Sequence, residues 1–310
     1  FAVLGAVLAS PALLPGAAGS ADGGAAGAQL ASLTATGGAE AMSPHVRLGV
    51  QLVLVVVCMF FARTWAMLVN RLADWRFDRG NPRTARRAVA SGRLSAGAGW
   101  VVALGSAAAF VAATGGFALL GNFWPLTLSV PVLAWIALYS FTKRFTLLCH
   151  VFLGAALATS PLAAALAIEP GALLDAARAE TGRALWLLAG FIVLWVAGFD
   201  VAYALQDLDF DRRTGLHSIP AALGVRGALW TSRAMHAAGF ALLVLAWRAE
   251  PRLGAIFGVA VGAAGVLLVI EHAVLARRGV AGLPLAFFTI NGVVSCVLGA
   301  AGVAGVALAS

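Results

Sequence analysis

Charged residues are scarce in this chain of 310 residues. They make up 11% of the sequence, against roughly 25% in soluble domains, whereas 61% of the residues are hydrophobic. This composition excludes an ordinary soluble globular domain. It indicates a protein that crosses a membrane several times.

Cysteine and lysine are nearly absent as well. Cys58, Cys149 and Cys296 lie far apart, without a Cys-x2-Cys spacing, which excludes a zinc-finger type of metal site and leaves them as packing residues. The net charge of +8 comes almost entirely from arginine. Most of these arginines lie in short connections between apolar runs, where membrane topology explains them, so the charge does not predict nucleic-acid binding.

Long apolar runs are abundant. Eight of them are long enough to cross a bilayer as helices, at residues 48–70, 97–121, 123–141, 145–168, 184–206, 227–247, 253–276 and 284–308. A further apolar stretch, 1–10, has no basic flank of the kind found in signal peptides, and we interpret it as part of another span. The sequence therefore predicts an all-α, polytopic membrane protein with nine transmembrane helices, of which the first is incomplete.

The domain organisation is simple. We expect one transmembrane domain over residues 1–310. The segment 16–44 is rich in Gly, Ala, Ser and Thr and has few charges, so it is predicted to be a flexible extracytoplasmic loop.

Arginine placement predicts the orientation of the spans. Seven arginines lie in the 71–96 connection, and further basic residues lie in the connections 141–145, 207–226 and 277–283. Counting spans places these four connections on one side of the membrane, while the opposite loops hold fewer basic residues. The positive-inside rule assigns the richer side to the cytoplasm. The expected location is the inner (plasma) membrane, with any site on this side facing the cytoplasm.

Acidic residues concentrate at the ends of two spans, which hold six of the 13 carboxylates. The first cluster is Asn70, Asp74 and Asp78, whose i, i+4 spacing places them on one face of a helix. Ionised groups beside hydrocarbon are costly, so carboxylates in this position indicate a functional site. Their oxygens suit Mg²⁺, which often also binds a substrate phosphate.

A second acidic cluster, Asp200, Tyr203, Asp207, Asp209 and Asp211, follows the fifth complete span. Salt bridges with neighbouring arginines would be enough to explain one such cluster at a membrane surface. They explain two clusters on the same face less well, because independent salt bridges need no repeated i, i+4 spacing. Together the clusters predict a magnesium–diphosphate site.

Basic side chains near the clusters offer contacts to a diphosphate. Lys143, the single lysine, and Arg144 follow the third complete span on the same side. Arg71 lies within the first cluster and Arg83 follows it, and a guanidinium group can donate two parallel hydrogen bonds to phosphate oxygens. We therefore expect these four side chains to face the diphosphate.

Histidine adds little signal at this level. His150 and His272 are interpreted as ordinary helix residues. His217, in the loop after the second cluster, is a weaker candidate for contact with a substrate.

The two clusters and the segments around them resemble the UbiA superfamily of intramembrane prenyltransferases. The matching segments are 70–84, 143–146, 200–211 and 215–220. The resemblance is to the 4-hydroxybenzoate polyprenyltransferase-like group, including members assigned to menaquinone synthesis by the futalosine route. It covers nearly the whole chain.

This resemblance implies nine helices around a central cavity, with a lateral opening to lipid for a polyprenyl tail. The residues that would hold two Mg²⁺ ions are Asn70, Asp74, Asp78, Asp207 and Asp211. Those that would contact the diphosphate are Lys143, Arg144, Arg71 and Arg83. The expected catalytic residues are Asp200 and Tyr203, facing the reacting carbon, together with Lys143.

The predicted function is Mg²⁺-dependent transfer of a polyprenyl group from an allylic diphosphate to an aromatic acid resembling 4-hydroxybenzoate, in ubiquinone or menaquinone biosynthesis. The expected partners are polyprenyl diphosphate, the aromatic acceptor and membrane lipid. Naphthoate and haem or chlorophyll precursors are alternative acceptors. The sequence fixes neither the acceptor, the prenyl chain length nor the oligomeric state.

The sequence argues against two other protein classes. A small-molecule transporter is disfavoured because the acidic residues gather at one membrane face and no path of midplane carboxylates is visible. An alcohol phosphotransferase of lipid synthesis would require an Asp-Gly pair in its motif, and neither cluster contains one.

Overall fold

The computed structural model describes residues 1–13, 42–283 and 285–309. These residues contain helices and connecting turns, with no strand among them. Eight helical segments there are long and apolar enough to cross a membrane, and a shorter buried helix, α1 (Ala2–Ala9), precedes them. The prediction of an all-α, multi-pass membrane protein is confirmed. Of the predicted loop 16–44, all but residues 42–44 lies outside the described residues.

The other α-helices of six or more residues, in chain order, are α2 (Pro44–Ala73), α3 (Trp75–Gly80), α4 (Ala96–Leu119), α5 (Trp124–Thr142), α6 (Cys149–Ile168), α7 (Ala179–Tyr203), α8 (Leu208–Thr214), α9 (Ile219–Ala249), α10 (Gly254–Arg278) and α11 (Asn291–Ala309).

Serine caps determine where three of the long helices begin. The side chains of Ser43, Ser95 and Ser218 each accept a hydrogen bond from the backbone N–H three residues later, at 3.4, 3.1 and 3.2 Å. Such caps satisfy a backbone donor that would otherwise have no partner at the helix start. Because Ser218 caps α9, that helix begins at Ile219 rather than at the predicted residue 227. A kink at Gly224, whose φ is 67°, separates its first turn from the rest.

Helix α7 lies at the centre of the bundle and packs against α6 and α9. In its most apolar 18-residue window 61% of the residues are buried, compared with 11% in α2. Small residues allow the backbones to approach closely, as is common between helices in lipid. A Cβ atom on Gly154 would lie 2.2 Å from the carbonyl oxygen of Val193. Only glycine fits at this contact between α6 and α7.

A polar network crosses the apolar part of the bundle. The indole Nε1–H of Trp195 donates to Asn291 Oδ1 at 2.8 Å, and the backbone carbonyl of Trp195 lies 3.1 Å from His236 Nε2. A carbonyl only accepts, so Nε2 of His236 carries the proton and its Nδ1 accepts from His272 Nε2 at 3.0 Å. His272 is therefore more than an ordinary helix residue: it helps to join α7, α9, α10 and α11.

A buried ion pair joins the bundle at the opposite end from the acidic clusters. Arg252 donates to both carboxylate oxygens of Glu250, at 2.8 and 2.9 Å, and to the backbone carbonyl of Leu8 at 2.8 Å. Burial alone would raise the pKa of Glu250, but its hydrogen bonds and ion pair with Arg252 hold that pKa below its ordinary value. The pair thus stays charged and anchors the end of α1.

Candidate active site

Breaks in two helices bring the acidic clusters together. Helix α2 ends at Ala73, and Asp74 occupies the junction before the short helix α3, which carries Asp78. Helix α7 ends at Tyr203 and is followed by a 3₁₀ turn, Ala204–Asp207, and by α8. Each break changes the direction in which the carboxylate side chains after it point. Both clusters thereby line one cavity of about 230 Å³.

Most of the residues predicted to form the site line this cavity. Those that do so are Asn70, Asp74, Asp78, Arg83, Lys143, Asp200, Tyr203, Asp207 and Asp211. Arg71 and Arg144 are not among the lining residues. Asp209, the remaining carboxylate of the second cluster, is exposed and also lies outside the lining. Asp209 lies two positions before Asp211 on α8, so its side chain is on a different face of that helix.

Both carboxylates of the first acidic cluster form ion pairs with basic side chains that follow them in the chain. Lys143 Nζ lies 3.0 Å from Asp74 Oδ2, and Arg144 Nη2 lies 3.6 Å from Asp74 Oδ1. Arg87 Nη1 lies 2.7 Å from Asp78 Oδ1. Asp74 and Asp78 are only 2% and 5% exposed, and burying a carboxylate without a charged partner is costly.

Arg83 joins the two halves of the site. Its guanidinium forms a salt bridge with the carboxylate of Asp207, and Nη1 donates to the hydroxyl of Tyr203 at 3.3 Å. Asn81 Nδ2 also donates to Asp207 Oδ1, at 2.8 Å. Burial disfavours the charged form of Arg83, but the hydrogen bond and charge of Asp207 raise its pKa above the ordinary value. The segment after α3 is therefore fastened across the cavity to the 3₁₀ turn.

Arg144 lies behind residues that line the cavity and is not itself part of the lining. Its guanidinium packs over the rings of Phe77 and Phe141, at 5.6 and 4.9 Å from their centroids, and it donates to the carbonyl of Ala73 at 2.6 Å. It supports the turn that carries Asp74. A direct contact with a diphosphate stays a prediction for Arg144, as it does for Arg71.

His150 is part of the site, contrary to its interpretation as an ordinary helix residue. Its Nδ1 lies 2.7 Å from Asp200 Oδ2, and the ring is buried against the cavity. Asp200 lies 50 positions later in the chain, so no local spacing pattern connects the two. In the sequence, the one signal for a role of His150 in the site is its position shortly after Lys143.

Other lining residues were not among the predicted site residues. Tyr139 and Ser140 come from the end of α5, one turn before Lys143, while Asn81, Thr84 and Arg87 come from the segment after α3. The chain has only two tyrosines, and both line this cavity. The scarcity of tyrosine in the sequence could therefore have indicated that both belong to the site. His217, by contrast, lies outside this lining and borders a neighbouring cavity that shares Asp211 and Ser218 with it.

The donor set of the cavity fits Mg²⁺. Four of the five carboxylates that line the cavity, together with the amide oxygen of Asn70, offer the oxygen ligands that Mg²⁺ prefers, and Oδ1 of Asp74 is buried without a hydrogen-bond partner. Within the described residues, no three acidic, histidine or cysteine side chains converge as a ready-made metal site. This pattern fits an ion that is bound jointly by one or two carboxylates and by a substrate phosphate.

Comparison with known proteins decides the family. The family model of the UbiA prenyltransferase family matches residues 30–293. The chain belongs to this family. The apo structure of a UbiA homolog from Aeropyrum pernix K1 superposes with a TM-score of 0.72 at 30% sequence identity, covering 97% of this chain and 96% of that one. The expectation of an aromatic prenyltransferase of the UbiA superfamily is confirmed.

Curated bacterial relatives carry the name 4-hydroxybenzoate octaprenyltransferase. That of Chromohalobacter salexigens is 30% identical over 228 residues, covering 73% of this chain and 71% of the relative. That of Edwardsiella ictaluri is 32% identical over 239 residues, covering 74% and 75%. With several further relatives the chain spans about half of their length.

Proposed function

We propose that this prenyltransferase transfers a polyprenyl group from an allylic diphosphate to an aromatic acid of the 4-hydroxybenzoate type, with Mg²⁺, in quinone biosynthesis. The observation that carries the proposal is the cavity in which both acidic clusters face Lys143, Arg83 and Arg87. Such a mixture of carboxylates and cations suits a metal-bound diphosphate and is poorly suited to an apolar ligand alone. The names of the bacterial relatives support the choice of acceptor.

Binding of the diphosphate and metal would replace the ion pairs that now cross the cavity. The residues proposed to hold Mg²⁺ are Asn70, Asp74, Asp78, Asp207 and Asp211. When bound, Mg²⁺ supplies positive charge that stabilises the diphosphate as a leaving group. Lys143, now 3.0 Å from Asp74, and Arg83, now bound to Asp207, would turn to the phosphate oxygens once the carboxylates face the metal.

The reaction then follows from the placement of the remaining groups. Cleavage of the allylic C–O bond sends the electron pair to the diphosphate, where cationic side chains stabilise the developing charge. Tyr203 and Asp200 line the same cavity on the last turn of α7. There they would face the reacting carbon. The electron-rich ring attacks the allylic carbon, and Asp200 accepts the ring proton that leaves as aromaticity is restored.

A panel of substrates tests this function. Purified protein with Mg²⁺ is incubated with prenyl diphosphates of several lengths and with 4-hydroxybenzoate, a dihydroxynaphthoate, haem or a chlorophyll precursor, and the products are identified by mass. We expect a prenylated 4-hydroxybenzoate. Product with another acceptor alone would contradict the proposed acceptor. Absence of any prenylated product from an intact, folded protein would contradict the function.

We further propose that the site opens to the cytoplasm of a bacterial inner membrane. The connections at the cavity end hold most of the basic residues, and the positive-inside rule assigns that end to the cytoplasm. In a variant without native cysteines, Ser91→Cys and Thr214→Cys are expected to resist a membrane-impermeant thiol reagent added to intact cells. Ala176→Cys, exposed at the opposite end, is the matched control and should react. Labelling of Ser91→Cys and Thr214→Cys with protection of Ala176→Cys would invert the orientation.

A further inference from the structure

The hydrogen bonds of His150 determine which of its ring nitrogens carries the proton. The backbone N–H of Ile219, at the start of α9, points to His150 Nε2 at 3.4 Å. A backbone N–H can only donate, so Nε2 carries a lone pair. The proton is therefore on Nδ1, which donates it to Asp200 Oδ2 at 2.7 Å. If both ring nitrogens carried protons, the Nε2–H of His150 and the backbone N–H of Ile219 would be two donors facing each other.

This contact leaves one oxygen of Asp200 available to the cavity. His150 is 2% exposed, whereas the side chain of Asp200 keeps 24% exposure. Among the described residues, no group donates a hydrogen bond to Oδ1 of Asp200. The imidazole, held by α6 on one side and by the start of α9 on the other, cannot rotate without losing one of its two bonds. It fixes the direction of the carboxylate more firmly than a mobile donor would.

We propose that His150 is a positioning residue that holds Asp200 Oδ1 toward the acceptor ring during prenyl transfer. The inference rests on the proposed function, in which Asp200 accepts the ring proton. During that step the C–H bond of the ring breaks, its electron pair restores aromaticity, and the proton goes to Asp200 Oδ1. His150 keeps its own Nδ1 proton throughout and gives none away. Its contribution is the orientation of the base and stabilisation of Oδ2.

A kinetic isotope effect distinguishes this role from a structural one. Prenyl transfer to 4-hydroxybenzoate is compared with transfer to 4-hydroxybenzoate that carries deuterium beside its hydroxyl group. In the wild type we expect ionisation of the allylic diphosphate to limit the rate, so that kcat shows no isotope effect. In His150→Ala, misdirection of Asp200 should lower kcat by about 100-fold and make proton loss limiting. An isotope effect then emerges, while the KM for the prenyl diphosphate stays unchanged.

Two replacements and one control complete the experiment. His150→Asn should recover most of the rate, because its amide N–H lies where the imidazole Nδ1–H was. His150→Leu fills the space without a donor, so it should behave like His150→Ala and serves in its place if the alanine variant does not fold. His45→Ala, an exposed histidine at the start of α2, should match the wild type.

Several outcomes would overturn the inference. They are wild-type kcat in folded His150→Ala or His150→Leu, a slow variant without an isotope effect, and His150→Asn as slow as His150→Leu. If the wild type is active, any of these results contradicts only the role of His150 and leaves the proposed function standing. A wild type that prenylates no aromatic acid contradicts the proposed function, and this inference falls with it.

Discussion

Asp74→Asn and Asp207→Asn are each expected to lower kcat for prenyl transfer by about 10²-fold to 10³-fold, because each removes a charge that would hold the metal–diphosphate complex in the transition state. The two residues come from different clusters and line one cavity. Turnover by the purified variants, measured at saturating Mg²⁺ and prenyl diphosphate, checks this. A chelator should abolish wild-type turnover, and added Mg²⁺ should restore it.

Asp209→Asn is the matched control for this experiment. It removes the same charge from the same cluster, but Asp209 is exposed and does not line the cavity. We expect near wild-type turnover. If Asp209→Asn is as damaging as Asp207→Asn, loss of charge at the membrane surface explains the effect. Full activity of Asp74→Asn, or turnover that persists in chelator, would contradict the two-cluster metal site.

Lys143→Ala is expected to weaken binding of the prenyl diphosphate and also to slow its ionisation. Lys143 is the single lysine, and its Nζ lies 3.0 Å from Asp74 at the edge of the cavity. A lost charged contact is commonly worth about 1.5–3 kcal/mol, or roughly 10-fold to 150-fold in affinity or rate. Both should suffer because negative charge on the leaving group grows in the transition state. Equilibrium binding and single-turnover rates measure the two effects separately.

Arg213→Ala controls for the removal of one positive charge at this end of the protein. Arg213 is exposed on α8 and lies outside the lining. Unchanged binding and rate in this variant, beside losses in Lys143→Ala, would support a contact with the diphosphate. Equal values for Lys143→Ala and the wild type would leave Lys143 with only a topological role.

The course of the helices could be predicted because lipid imposes a simple rule on the sequence. A span needs about 20 apolar residues with internally satisfied backbone groups, and the runs at 97–121 and 123–141 become α4 and α5 with small shifts at their ends. The predicted start of α9 at residue 227 is too late because Arg226 interrupts the apolar pattern and the first turn of the helix lies before the kink at Gly224. Hydropathy reports burial in lipid and says little about such a turn.

The candidate site was predictable where its residues repeat at helical spacing, and less so where it depends on contacts between distant segments. The i, i+4 spacing of Asp74 and Asp78 can be recognised in the sequence alone. His150 meets Asp200 only through the packing of α6 on α7. Arginines near the clusters were equally plausible in sequence, but Arg83 points across the cavity while Arg144 packs on phenylalanine rings. Side-chain direction decides between them, and composition does not encode it.

The ion pairs that bridge the cavity have a thermodynamic consequence. Metal alone would leave Lys143, Arg83 and Arg87 as neighbouring cations without carboxylate partners, while diphosphate alone would leave Asp74, Asp78 and Asp207 facing one another. Joint binding leaves neither set of charges uncompensated. We therefore expect the two affinities to be reciprocally linked: Mg²⁺ should tighten binding of the prenyl diphosphate by the same factor by which the prenyl diphosphate tightens binding of Mg²⁺. An enzyme of this design should bind neither free Mg²⁺ nor bare inorganic anions tightly in its resting state.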